Sequence, residues 1–404
     1  MHKKIIALCA LQLIALLTFA SEQTIAQKKS ASQQIEKLKE HIPLPEIQKI
    51  VLEYVGNEYL PTHFDKVKRI SATAVSANGK YLMIASQITG DISNKQDTAK
   101  IWKFENGKYV LIGNIIFPIT AYESGAAAIS DDGKYIAMSA QHGNIYSGQL
   151  SQGKYIENQV ENTSEKPSSL QFFENHNYLG LRTLSHGISV LELSNNKRFN
   201  PIQTFGQQYS SRPAAFSENG EYVVTGENNE IQLWKMLMDK FTLLNKTAIG
   251  DLLDAIAISN DNKYVVSANG AKVLEIFKLQ DNTLQSLQKI KLGSYIRLIK
   301  FSPDSTHLAI ARSTVDKPWQ TVIDIYKLNQ KSQKYEHIST LPHDDFNKDP
   351  YQLIGFSPNN EILTATFGSE ITIWENQKEQ LEQDAGEKIK TAAEQEQPVV
   401  TEVD

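Results

Sequence analysis

Few side chains in this sequence have the type and spacing to do chemistry. Histidines 142, 176, 186, 307 and 337 are scattered over turns and strand-like segments, and neither a nucleophile elbow nor a zinc-type histidine pair occurs. The acidic run HDDFNKDP, residues 343–350, comes nearer to a ligand set. In it Asp345, Asn347 and Asp349 alternate as oxygen donors do in calcium loops, with His343 and Asp344 beside them. Such a loop needs glycine at its sharp turn and a closing glutamate. Pro350 takes the first place and no glutamate takes the second, so a solvated acidic loop is the expectation. Cys9, the only cysteine, falls inside an apolar N-terminal run, so a chain cleaved after that run has no thiol for a disulfide, a metal or catalysis. No catalytic residue, metal site or cofactor is expected.

What is left is recognition, and recognition needs a frame. Seven segments share one pattern, a small or apolar residue, serine, a polar turn and an apolar strand: AVSANGKYLMIAS, AISDDGKYIAMSA, QFFENHNYLGLRT, AFSENGEYVVTGE, AISNDNKYVVSAN, KFSPDSTHLAIAR and GFSPNNEILTATF. The serine position falls at Ser76, Ser130, Phe173, Ser217, Ser259, Ser302 and Ser357, with spacings of 54, 43, 44, 42, 43 and 55. A period of about 43 residues is that of a four-stranded propeller blade. Asn78 and Gly79, Asp132 and Gly133, Asn219 and Gly220, and Asp261 and Asn262 supply the residues that tolerate positive φ in hairpin turns. A third strand follows each copy and carries Trp102, Tyr146, Leu191, Trp234, Phe277, Tyr326 or Trp374 at one position, where a large side chain is a packing requirement. A fourth strand follows most copies but not the seventh. NEYLPTH, Asn57 to His63, precedes the first copy and can supply the missing strand, which closes the ring and leaves no open edge.

Through this serine hairpin and the third-strand aromatic, residues 57–376 resemble the WD-repeat propellers, in a divergent form. The fold class expected is all-β, a seven-bladed β-propeller of four-stranded blades. The residue after the aromatic is Lys, Ser, Glu, Lys, Lys, Lys or Glu and never Asp, and the Gly and His pair is missing, so the family's hydrogen-bonded tetrad is not expected and blade packing must replace it. The resemblance implies a rigid scaffold for a protein or peptide partner and implies no reaction.

Loops joining second to third strands, and loops joining one blade to the next, share one face of such a ring. The three long ones, QITGDISNKQDTA, STVDKPWQ and LPHDDFNKDP, therefore gather on blades 6, 7 and 1, where binding is expected. Candidate contact residues are Trp319, a loop tryptophan beside Pro318, with His343, Asp344 and Asp345 of the acidic loop. Tyr295, Arg297 and Tyr351 precede first strands on that face, and Arg69 and Arg212 do so elsewhere around the ring.

The ends add a domain plan. Lys3 and Lys4, an apolar run from Ile5 to Leu17, and small residues near Ala20 have the layout of a secretory leader, so residues 1–26 read as a signal peptide and the protein as exported, periplasmic or secreted. Residues 27–56 form a linker holding LPEIQKIVLEYV, which resembles the opening helix of an F-box. Pro45 stands at its start, and Leu44, Ile47, Ile50, Val51 and Tyr54 are its candidate docking residues. Residues 377–404 read as an acidic flexible tail. From Glu375 onward nine carboxylates face three lysines, more than the whole formal charge of −5, which leaves a near-neutral body and no electrostatic reason for a nucleic-acid or membrane partner. After leader cleavage no transmembrane segment is expected, and the chain is expected to be monomeric. The leading expectation is a non-catalytic interaction scaffold. The alternatives are a host-directed factor of an intracellular bacterium docking through the F-box-like helix, or a lactonase- or hydrolase-like propeller enzyme.

Overall fold

The computed structural model describes residues 59–63, 70–87, 97–117, 125–140, 143–151, 154–163, 167–173, 177–183, 187–194, 199–205, 213–227, 229–315, 321–342, 351–367 and 370–376. The leader, the Leu44 to Val55 segment and the tail after 376 lie outside the described residues. Among those described there is no α-helix, and no helix long and apolar enough to cross a membrane.

The strands run, in chain order, β1 (Tyr59–His63), β2 (Ile70–Val75), β3 (Tyr81–Gln87), β4 (Asp97–Glu105), β5 (Lys108–Phe117), β6 (Ala127–Ile129), β7 (Tyr135–Ser139), β8 (Asn144–Ser151), β9 (Lys154–Asn162), β10 (Ser169–Phe173), β11 (Tyr178–Arg182), β12 (Ile188–Leu193), β13 (Phe199–Phe205) and β14 (Ala214–Phe216). They continue with β15 (Tyr222–Glu227), β16 (Glu230–Leu237), β17 (Lys240–Ala248), β18 (Leu253–Ile258), β19 (Tyr264–Asn269), β20 (Val273–Gln280), β21 (Thr283–Lys291), β22 (Ile296–Phe301), β23 (His307–Ser313), β24 (Thr321–Asn329), β25 (Lys334–Pro342), β26 (Tyr351–Phe356), β27 (Ile362–Phe367) and β28 (Glu370–Asn376). Six blades are consecutive meanders, β2 to β5, β6 to β9, β10 to β13, β14 to β17, β18 to β21 and β22 to β25. The seventh is ordered β1-β28-β27-β26, so the first strand of the chain completes the last blade, as the sequence requires of a ring with no open edge. Thr62–Trp374 forms one compact unit. Met1–Pro61 with Glu375–Asp404 forms a second, of which only residues 59–61 and 375–376 are described.

The repeated serine explains the hairpins. Ser259 Oγ donates to Asp261 Oδ1 at 2.7 Å and accepts the Tyr264 N–H at 2.9 Å, while Asn262 N–H closes the turn on the Ser259 carbonyl at 3.0 Å. Ser76, Ser130, Ser302 and Ser357 repeat the donation, and these four with Ser217 repeat the acceptance. One buried hydroxyl thus satisfies two groups that the tight turn would otherwise strand. The third blade replaces the serine with Phe173, which stacks on Tyr178 within its blade (5.4 Å, 18°) and on Phe216 of the next (5.1 Å, 8°).

The third-strand aromatic sits where the fourth strand slips register: bulges lie between Ile101 and Trp102, Leu233 and Trp234, Ile276 and Phe277, and Ile325 and Tyr326. The bulge adds local twist and lets a bulky ring seat against its neighbours. One departure from expectation lies here. Trp234 Nε1 donates to Thr225 Oγ1 at 3.0 Å, so one ring-to-hydroxyl bond across second and third strands exists without the full tetrad.

Among the described residues no blade holds a core of its own. Each hydrophobic cluster spans two blades: Tyr81, Met83 and Ile101 pack with Ile129, Ile136 and Met138, and Val266, Leu274 and Ile276 pack with Phe301, Leu308 and Ile310. Second strands are covered on both sides and so carry consecutive apolar residues, β19 being buried at every residue. Glutamine adds polar clamps between outer strands: Gln203 Nε2 donates to the Phe241 carbonyl (2.9 Å) while its Oε1 accepts the Phe241 N–H (2.8 Å). Gln288 does the same with Tyr335, at 2.9 and 3.0 Å.

Candidate functional site

The meander connectivity puts the loops between second and third strands, and those between blades, on one face. Much of the expected binding sector falls outside the described residues: Trp319, His343, Asp344, Asp345 and Arg69 are not described, nor is the side chain of Tyr351 at the start of β26. The helix residues Leu44, Ile47, Ile50, Val51 and Tyr54 lie outside as well. Tyr295 and Arg297 are described, and both are exposed at the entry to β22.

Tyr295 is exposed but its backbone is not loose. Its carbonyl accepts the Ser313 N–H at 3.0 Å, and the neighbouring Ser294 is buried with its hydroxyl 3.5 Å from Arg312 Nη1. Arg312 is itself forked onto the buried Asp324, Nε to Oδ2 at 2.5 Å and Nη2 to Oδ1 at 3.3 Å. Thr340 Oγ1 donates to the same carboxylate at 2.7 Å. A hydroxyl and a fork-fork ion pair therefore hold the loop from beneath.

Above that support the surface is apolar. The Tyr295 ring is 56% exposed, with Leu252 at 57% and Val315 at 63% on the same face. Lys272 Nζ lies 5.1 Å from the Tyr295 ring centroid, a cation–π approach from the adjoining loop, and a Cβ added at Gly293 would stand 3.5 Å from Val315 Cγ2. Asp251 and Asp254 flank Leu252, and burial together with the Asp251 charge pushes the Asp254 carboxyl above its ordinary value. Tyr295 and Arg297 are among the residues singled out from the sequence; Leu252, Lys272 and Val315 are not, since a lone residue in a polar loop leaves no periodic signal.

A second feature is the ring's central channel. A cavity of about 560 Å³ is walled by the first strands of blades 1, 2, 3, 6 and 7, among them Ser71, Thr73, Ala128, Gln171, Leu298 and Lys300. At the hairpin-turn end, side chains reach across the axis. Asn260 Nδ2 of blade 5 donates to the Ala77 carbonyl of blade 1 at 3.3 Å, and the Glu218 carboxyl of blade 4 meets Asp131 of blade 2 within hydrogen-bonding reach. Burial first, and the Asp131 charge second, push Glu218 up to about 9, so it keeps its proton at neutral pH. No group of three or more His, Cys, Asp or Glu side chains placed to hold a metal occurs among the described residues.

No protein-family model matches this sequence, and no curated protein does. Among solved structures the chain is similar to the β-propeller domain of Cps50 (Swd1) from Myceliophteria thermophila, with a TM-score of 0.59 at 10% identity, over 78% of this chain and 99% of that one. At such low identity the likeness speaks for architecture. In fold, this chain is a seven-bladed β-propeller of four-stranded blades.

Proposed function

We propose that this propeller is a non-catalytic interaction scaffold that binds a protein or peptide partner on the loop face of blades 6, 7 and 1, extending onto blade 5, and that it works outside the cytoplasm. The observation that carries the reading is Tyr295: an aromatic ring largely in solvent, on a backbone pinned by Ser313 and by the Arg312 to Asp324 pair beneath it. Rigid exposed aromatics with apolar neighbours are what interface anchors are made of, because little side-chain freedom is lost when they are buried. Leu252 and Val315 extend the apolar ground, and the long loops carrying Trp319 and His343 to Asp345 border it in sequence. Export is supported by the leader-like first residues.

The test is quantitative capture from envelope and host-cell extracts with four forms of the mature protein: unchanged, Tyr295→Ala with Val315→Asp, Trp319→Ala with a shortened 343–350 loop, and Met238→Ala. Met238 is 98% exposed at a turn on the opposite face and serves as the control. A partner kept by the control and lost by either loop-face form supports the reading. One retained by all four forms overturns it.

A further inference from the structure

Each blade turns the free edge of its outermost strand outward, and a free edge is a template for another strand. Folded chains guard such edges with a charge or a proline inside the strand. Six outer strands here are guarded: β1 by Pro61, β9 by Glu157, β13 by Pro201, β17 by Lys246, β21 by Lys289 and β25 by Glu336. The seventh, β5, is not. After Lys108 at its first position it runs YVLIGNIIF, nine residues to Phe117 with neither charge nor proline. Among the described residues nothing pairs with its outer edge.

The repeat sharpens the contrast. In blades 1 to 6 the residue after the large side chain that opens the fourth strand is Val110, Ile156, Asn200, Thr242, Gln285 and Glu336, and all six are exposed. Four are polar, as contact with water favours. Val110 and Ile156 are apolar and belong to adjoining blades, whose outer strands β5 and β9 lie side by side. Leu111, 51% exposed, and the exposed Ile112 continue the apolar run along β5. A strand edge that is long, uncharged and apolar at its solvent-facing positions calls for a strand to cover it.

We propose that β5 is a self-association edge: two copies of the chain pair β5 against β5, antiparallel about a two-fold axis, and join their first blades into one continuous sheet. The occupant follows from self-complementarity. A strand that matches β5 must itself be free of charge and proline over the same length, and among the outer strands β5 alone is so. With the two-fold at Leu111, that residue meets its own copy, Val110 meets Ile112 and Lys108 meets Asn114, so no like charges are opposed. Ile156 of β9 extends the apolar ground at the flank. A strand pair is small beside the standard interface of about 1,600 Å², so the dimer is reversible rather than permanent. The edge is separate from the loop face, and either can fail alone.

The experiment is sedimentation equilibrium of the purified chain from about 1 to about 200 μM, the span in which small interfaces titrate. The weight-average mass should climb from one chain toward two. Leu111→Lys supplies the missing guard and, through the two-fold, sets two like charges against each other, so it should weaken association about tenfold or more. Met238→Lys adds the same charge at an exposed apolar residue in the turn between β16 and β17 and should leave association unchanged. A mass of one chain throughout overturns the proposal, whether another protein then covers β5 or nothing does. Undiminished dimerisation of Leu111→Lys, or an equal loss in Met238→Lys, overturns it as well. Should Leu111→Lys not fold, hydrogen exchange of the unchanged chain decides: the amides of Tyr109 to Phe117 should exchange more slowly at high concentration, and equal rates at low and high concentration would overturn the proposal.

Discussion

Gly79 of blade 1 stands against Phe356 of blade 7 so closely that a Cβ on the glycine would overlap the Phe356 carbonyl oxygen. This is the seam at which the last repeat meets the first. Gly79 also has φ +71, a conformation that costs other residues about 1–2 kcal/mol.

Gly79→Ala therefore combines backbone strain with a clash at ring closure. Gly107, with φ +78 and nothing within 4 Å of an added Cβ, isolates the first effect. Denaturant titration should place Gly79→Ala at least about 2 kcal/mol below Gly107→Ala. Equal losses would mean the seam yields freely.

The repeat serines make a second claim. Ser259→Ala leaves a buried Tyr264 N–H without its acceptor and should cost about 1–3 kcal/mol, with fold retained by circular dichroism. A neutral result would imply that water replaces the hydroxyl.

Support beneath the loop face can be separated from the face itself. Arg312→Ala takes the guanidinium from the Asp324 carboxylate, 2% exposed, leaving it Thr340 and the nearby His337, and should lower stability by about 3 kcal/mol. Pairing it with Asp324→Asn should recover much of the loss, because the buried charge is gone. A cost for the pair equal to that of Arg312→Ala alone would count against the ion pair as the cause.

Glu218 sets a pH dependence whose sign is determined. Its carboxyl, raised from 4.5 to about 9 chiefly by burial, holds a proton in the folded chain that the unfolded chain gives up once the pH exceeds 4.5. The folded state then binds the extra proton, so this group's contribution to stability is full below that value and drains away as the pH climbs to about 9. Glu218→Gln should flatten the decline and raise the melting temperature at mildly alkaline pH. Parallel curves for the two proteins would place the titration elsewhere.

Much of the architecture was legible because it is written seven times. Ser217 and Trp234 mark a hairpin and a third strand wherever their counterparts recur, and NEYLPTH was placed in blade 7 because a closed ring needs it. The Trp234 to Thr225 bond was not legible, since partners nine residues apart match no consensus once Asp and His are gone. The Gln203 and Gln288 clamps stayed hidden for a related reason: they join residues 38 and 47 positions apart whose pairing depends on how neighbouring outer strands lie side by side.

By itself, then, the sequence determined period, blade number and hairpin chemistry, because these follow from local propensity and from repetition along the chain. Only the tertiary structure decided which polar groups share the axis. Asp131, Glu218 and Lys300 belong to blades 2, 4 and 6 and stand far apart in sequence. Curving seven sheets into a ring brings their first strands around one narrow space, and desolvation there pushes the Glu218 carboxyl up and the Lys300 ammonium down from their ordinary values.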